Sequence, residues 1–132
     1  MSYADNKRKI DMVSLSVRNV SHTYGQGATK VVALDEVSFD AAGGDLVAVV
    51  GPSGCGKSTL LNIIGQVLVP TNGKVMIDGE AAPKGDAVRS RLRNAVFGYL
   101  FQDFALVEND TAQSNVEVPL RYSKSGGRRR QR

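Results

Sequence analysis

The run Leu46-Val47-Ala48-Val49-Val50 leads without a break into Gly51-Pro52-Ser53-Gly54-Cys55-Gly56-Lys57-Ser58-Thr59, and no other stretch restricts the fold so tightly. A short, valine-rich, continuously apolar segment predicts a strand buried on both faces of a parallel sheet. Beyond the glycines, Leu60, Leu61, Ile63, Ile64, Val67 and Leu68 recur at helical spacing, and Pro70 closes the element. The predicted local order is therefore strand, glycine loop, helix, which places the chain in the α/β class.

The loop fits the pattern Gly, four residues, Gly-Lys-Ser/Thr, and each residue type in it has a mechanical reason. Successive backbone N–H groups in a concave loop at the positive end of a helix surround a polyanion with donors. Glycines at 51, 54 and 56 let the backbone approach a phosphate with no Cβ in the way. Lys57 places an ammonium against the β- and γ-phosphates of a nucleotide, and the Ser58 hydroxyl suits Mg²⁺, which prefers hard oxygen ligands. Thr59 stands one residue further in, near the α-phosphate, while Pro52, Ser53 and Cys55 fill the free positions. ATP with Mg²⁺ is the expected ligand. The plain alternative is a glycine turn between strand and helix with a surface lysine.

On either side the chain reads as short elements. Val13 to Val20 alternates apolar and polar residues as a half-buried strand does. His22 to Gly27 reads as a turn, and Val31 to Phe39 as a second strand. After the helix, Thr71-Asn72-Gly73 turns the chain into a strand over Lys74 to Asp78, and Asp78-Gly79 is a turn signal. Asp86 is placed to cap a helix reaching about Arg93, Val96 to Phe101 reads as a strand, and a short helix is expected near Ala112 to Val118.

Charge and cysteine content narrow the function. The formal net charge is +4, yet Arg121 to Arg132 alone holds six basic residues and no acid, leaving 11 basic against 13 acidic residues elsewhere. The basic character thus belongs to one end. No aromatic residue stands within the Arg128 to Arg132 cluster for base stacking, so a solvated tail is expected and no specific nucleic acid. One cysteine, Cys55, excludes an internal disulfide and a cysteine zinc cluster. The longest apolar run is too short to cross a bilayer, and residues 1–10 lack the apolar segment of a secretory signal, so a cytoplasmic location is expected.

With these motifs in place, the sequence resembles the nucleotide-binding domain of ABC transporters over nearly all of Met12 to Tyr122. The likeness rests on Ala33-Leu34-Asp35-Glu36-Val37-Ser38-Phe39, on Gly44-Asp45 leading into the phosphate loop, and on Thr71-Asn72-Gly73-Lys74-Val75 with Asp78-Gly79. Ala105 to Thr111 with Asn115-Val116 looks most like exporters of the macrolide, lipoprotein-release and bacteriocin group. The resemblance implies a P-loop NTPase core with an N-terminal antiparallel β subdomain. It also implies three parts, a polar tail over 1–11, a partial nucleotide-binding domain over 12–122 and a basic tail over 123–132. Tyr24, 33 residues before Lys57, matches the family's adenine-stacking aromatic, and Gln102, 45 residues after it, matches the glutamine that reaches Mg²⁺ and the attacking water. The implied partners are a transmembrane permease subunit, met through the Gln102 loop, and a second nucleotide-binding domain, at the inner face of the membrane.

Hydrolysis in that family also needs an acidic strand, a Leu-Ser-Gly-Gly-Gln signature and a switch histidine after the glutamine loop. Val31 to Glu36 imitates the acidic strand but precedes the phosphate loop, Ser125-Gly126-Gly127 imitates the signature too early, and His22 lies upstream. The expected chain is therefore C-terminally truncated. Two functions follow, an ATP-hydrolysing subunit of an export system in its complete form, or a nucleotide-binding remnant without turnover, whose phosphate-loop strand keeps a naked apolar edge.

Overall fold

The structure, a computed structural model, describes residues 13–100 and 106–121. They fall into two compact units, one drawn from Met1–Leu61 and Pro70–Ala82, the other from Asn62–Val69 and Pro83–Arg132.

The first unit is built on an antiparallel sheet of four strands in the order β2-β1-β3-β4. These are β1 (Leu15–Tyr24), β2 (Val31–Ala41), β3 (Asn72–Ile77) and β4 (Glu80–Ala81). A register shift between Val17 and Val20, with Asn19 at φ 46°, brings Val20 and His22 to the same covered face as Val17, where Leu34 of β2, Val75 and Ile77 of β3 and Leu60 are also buried. On the other face Asp40 accepts hydrogen bonds from Ser16 Oγ and Arg18, each at 2.6 Å. The Arg18 bond, with that of Ser16 behind it, holds the Asp40 carboxyl below the usual carboxylate range.

Two turns carry their own chemistry. Asp78 and Gly79, with φ of 50° and 80°, form the two-residue connection between paired Ile77 and Glu80, the hairpin turn that needs positive φ at both central residues. The Asp78 carboxylate then accepts the Ser14 amide at 2.7 Å, tying the start of the chain's first strand to the hairpin. At Ala42 to Asp45, the Asp45 carboxylate accepts the Ala42 amide at 2.8 Å and so fixes the turn before the apolar run.

Three expectations need correction. His22 to Tyr24 belong to β1 and not to a turn, because the strand continues through three register shifts and pairs Thr23 with Val32 and Tyr24 with Val31. Leu46 to Val50 joins no ladder among the described residues, and Leu46 is 100% and Val50 87% exposed. Of the strand expected over Val96 to Phe101, Val96 ends the helix over Asp86–Val96, residues 97–100 join no ladder among the described residues, with Leu100 97% exposed, and Phe101 lies outside the described residues. Apolar composition favours a strand only where a partner supplies hydrogen bonds and a covering face.

The helix α1 (Lys57–Ile64) begins in the first unit and ends in the second. It is shorter than its apolar spacing predicted because Gln66 adopts φ 63°, and Val67 N and Gln66 N bond back to Asn62 O and Ile63 O at 2.8 and 3.1 Å. This pair of bonds is the left-handed helix end usually given to glycine. Gln66 Nε2 adds a bond to Ile63 O at 3.2 Å, and Arg89 and Arg93 of α2 (Asp86–Val96) both donate to Gln66 O, at 3.2 and 2.7 Å. Two guanidinium groups at the negative end of α1 complement its dipole. Tyr99 lies against Gly65, where any Cβ would collide with the phenol, and burial raises the Tyr99 pKa against the opposing charge of Arg93. Asp86 is the first residue of α2, not its cap, which is Gly85. In α3 (Ala112–Arg121) the cap is Thr111, whose Oγ1 accepts the Ser114 amide at 3.1 Å.

Candidate functional site

The glycine loop and the first turn of α1 form one continuous piece of the first unit. Its helical start is set by Leu60 N, which donates to Gly56 O at 2.9 Å. The amides of Lys57, Ser58 and Thr59 belong to the first turn and have no helical acceptor, so they are donors left for something else. Gly56, at φ 93°, is held where a Cβ would run into the Ala33 carbonyl and the Leu34 side chain of β2. The loop is thereby pressed onto the sheet at the one residue type that permits it.

Lys57 curls back over the loop. Its Nζ donates to Gly51 O at 2.8 Å and Pro52 O at 2.6 Å, with Cys55 Sγ at 3.7 Å. The ammonium thus sits within the loop and completes a ring of chain around itself. Cys55 and Ser58 are exposed, while Thr59 is buried. A cation, orphan amides and bare backbone in one concave segment can take up an anion with several oxygens.

Tyr24, at the end of β1, comes to the same place. Its hydroxyl is 3.3 Å from Thr59 Oγ1, and its ring meets His22 edge to face, with centroids 4.6 Å apart and an interplanar angle of 76°. Tyr24 remains 45% exposed. The structure therefore unites Tyr24, Lys57, Ser58 and Thr59 in one unit, although 33 residues separate Tyr24 from Lys57. Gln102 lies outside the described residues.

Comparison with known proteins agrees with this geometry. The profile of the family described as ABC transporter matches residues 34–132. The chain belongs to the ABC transporter family. It is 40% identical over 108 residues to the lipoprotein-releasing system ATP-binding protein LolD of Bordetella avium, covering 81% of this chain and 47% of LolD. It is 41% identical over 110 residues to the macrolide export ATP-binding/permease protein MacB of Hyphomonas neptunium, covering 83% of this chain but 17% of MacB. Among solved structures it resembles the ATP-binding cassette MJ0796 of Methanocaldococcus jannaschii, captured as a dimer bound to ADP and Pi. There the TM-score is 0.76 at 39% identity, over 82% of this chain and 47% of that one. The chain thus spans about half the length of LolD and of that cassette. The α/β fold with its antiparallel sheet is that of ABC cassettes, and the relatives include the macrolide and lipoprotein-release group expected from the sequence.

Contacts of three residues escaped the sequence reading, that of His22 beside the loop and those of Arg89 and Arg93 within the second unit. His22 was excluded only as a switch histidine, and nothing in a lone histidine reveals an edge contact with a tyrosine two residues on. Arg89 and Arg93, i and i+4 on α2, presented a basic helical stripe, but their target, a carbonyl at the end of α1, is visible only in three dimensions.

Proposed function

We propose that the chain is the ATP-binding part of an ABC-type export subunit. One observation carries this reading, the Lys57 ammonium seated within the glycine loop at the open first turn of α1. The loop amides and Lys57 hold the β- and γ-phosphates, Thr59 stands by the α-phosphate, and Tyr24 offers its ring to adenine. Pro52, Ser53 and Cys55 shape the loop between Gly51, Gly54 and Gly56. Among the described residues no group of three or more His, Cys, Asp or Glu is gathered for a metal. A magnesium ion would therefore be shared between phosphate oxygens, Ser58 and Gln102, the usual arrangement for this small cation. When bound, it neutralises charge on the phosphates.

Residues 12–122 would form the nucleotide-binding part, flanked by the polar and basic tails. The complete protein would hydrolyse ATP, with Lys57 and Gln102 acting on the γ-phosphate and the water. It would pair with a second nucleotide-binding domain and meet a permease through the Gln102 loop, on the cytoplasmic face of the membrane. Among the described residues no helix is long and apolar enough to cross a membrane. One relative named for macrolide export and one for a lipoprotein-releasing system support the direction of transport.

A second reading is nucleotide binding without turnover. Calorimetry with Mg-ATP on the chain and on Lys57→Ala tests the first reading. Charge-assisted hydrogen bonds of this kind are each worth about 1.5–3 kcal/mol, so the substitution should weaken binding roughly 10- to 100-fold. Equal affinity of the two proteins would refute the assignment of Lys57. Steady ATP turnover abolished by the same substitution would discard the second reading.

A further inference from the structure

His22 is 8% exposed, and its Nδ1 is buried with no hydrogen-bond partner. A buried polar atom left unpaired is unfavourable, so hydrogen bonding does not account for a histidine here. What His22 does have is the phenol of Tyr24, met at 4.6 Å between ring centroids and 76° between planes. Both side chains leave β1 on one face, two residues apart, and β1 pairs with β2 at both positions, His22 with Leu34 and Tyr24 with Val31. The base of the imidazole is therefore fixed by the ladder and its body by burial. Only the Tyr24 ring is half-open to solvent, and it is held at two points, by the imidazole and by Thr59 Oγ1 at 3.3 Å.

We infer that His22 is a positioning residue for base recognition: it fixes the plane of the Tyr24 ring, so that one phenol face is presented to an adenine before nucleotide arrives. At an interplanar angle of 76° the imidazole can cover at most one face of the phenol, and Tyr24 keeps 45% of its surface exposed for stacking. A ring already held in one orientation loses less freedom on binding than one that must be ordered. The edge-to-face geometry needs a ring with electropositive edges at position 22, which an aliphatic side chain of equal bulk does not provide. The inference rests on the nucleotide-binding reading above and concerns only its base-recognising end.

The test compares Mg-ATP with Mg-tripolyphosphate, which carries the phosphates without a base, by calorimetry on the wild-type chain, His22→Leu and His22→Phe. Leucine keeps the buried volume without a ring, whereas phenylalanine keeps the ring. The aromatic pair predicts an ATP affinity about three- to ten-fold lower in His22→Leu, with tripolyphosphate unchanged, and His22→Phe close to wild type. Unchanged ATP affinity in His22→Leu would overturn the inference, as would parallel losses for both ligands, which mark a packing role. Wild-type binding of tripolyphosphate at the same strength as ATP would show that Tyr24 recognises no base and overturn it too. If wild type takes up neither ligand, the nucleotide-binding reading itself falls.

Discussion

Val17 and Val20 in β1 and Val47 and Val50 before the glycine loop are the same residue type and meet opposite fates. β1 has a neighbour on each side, and its Val17 and Val20 are completely buried. The second segment has no ladder partner among the described residues, and Val47 and Val50 are 50% and 87% exposed. Pairing and burial came only where another strand stood alongside, which is why strand propensity behaves as a property of the surroundings. The difference also bears on function, because the unpaired segment leads straight into the loop that holds Lys57.

The contrast breaks most readily with a charge placed in each segment. Val17→Asp should unfold the first unit, since an unpaired carboxylate in a fully buried site costs several kcal/mol. Val50→Asp should change the unfolding free energy read from urea titration by no more than about 0.5 kcal/mol. Comparable destabilisation by the two would mean that residues 46–50 are covered in solution. A middle-sized effect is expected from Gly56→Ala, where positive φ and the Ala33 carbonyl both oppose a Cβ. A loss of roughly 1–3 kcal/mol, read from thermal unfolding, would accompany a displaced loop and weaker ATP uptake. Full retention of both would show the loop is not pressed onto β2.

The smallest effect concerns pH on the open face of the paired sheet. The folded Asp40 carboxyl lies below its ordinary value of 3.8, so its contribution is complete above that value and is lost as pH falls through the lower folded one. Asp40→Asn should therefore lower neutral-pH stability slightly, by the small contribution of an exposed pair, and flatten the acid limb below about pH 4 by the same amount. An identical acid limb in the variant would place the acid sensitivity elsewhere.

Much of the site was legible before the fold was seen. The Gly51 to Thr59 pattern needs only its own spacing to announce an anion loop ahead of a helix, and α1 does begin at Lys57. The turn at Asp78-Gly79 was equally plain, because positive φ limits the choice of residues. What misled was apolar content read as burial, at 46–50 and again at 97–100. The end of α1 was misplaced as well, since Gln66 in a left-handed conformation has no sequence signal as clear as glycine.

By itself, then, the sequence determined the phosphate loop, the strand alternation and the tight turns, because each depends on backbone geometry within a few residues. Tertiary structure alone decided that Tyr24 meets Thr59, that His22 braces Tyr24, and that two arginines of α2 close the end of α1. Those contacts join positions 2 to 35 residues apart. Their existence depends on which surfaces the folded chain brings together, a quantity no local pattern contains.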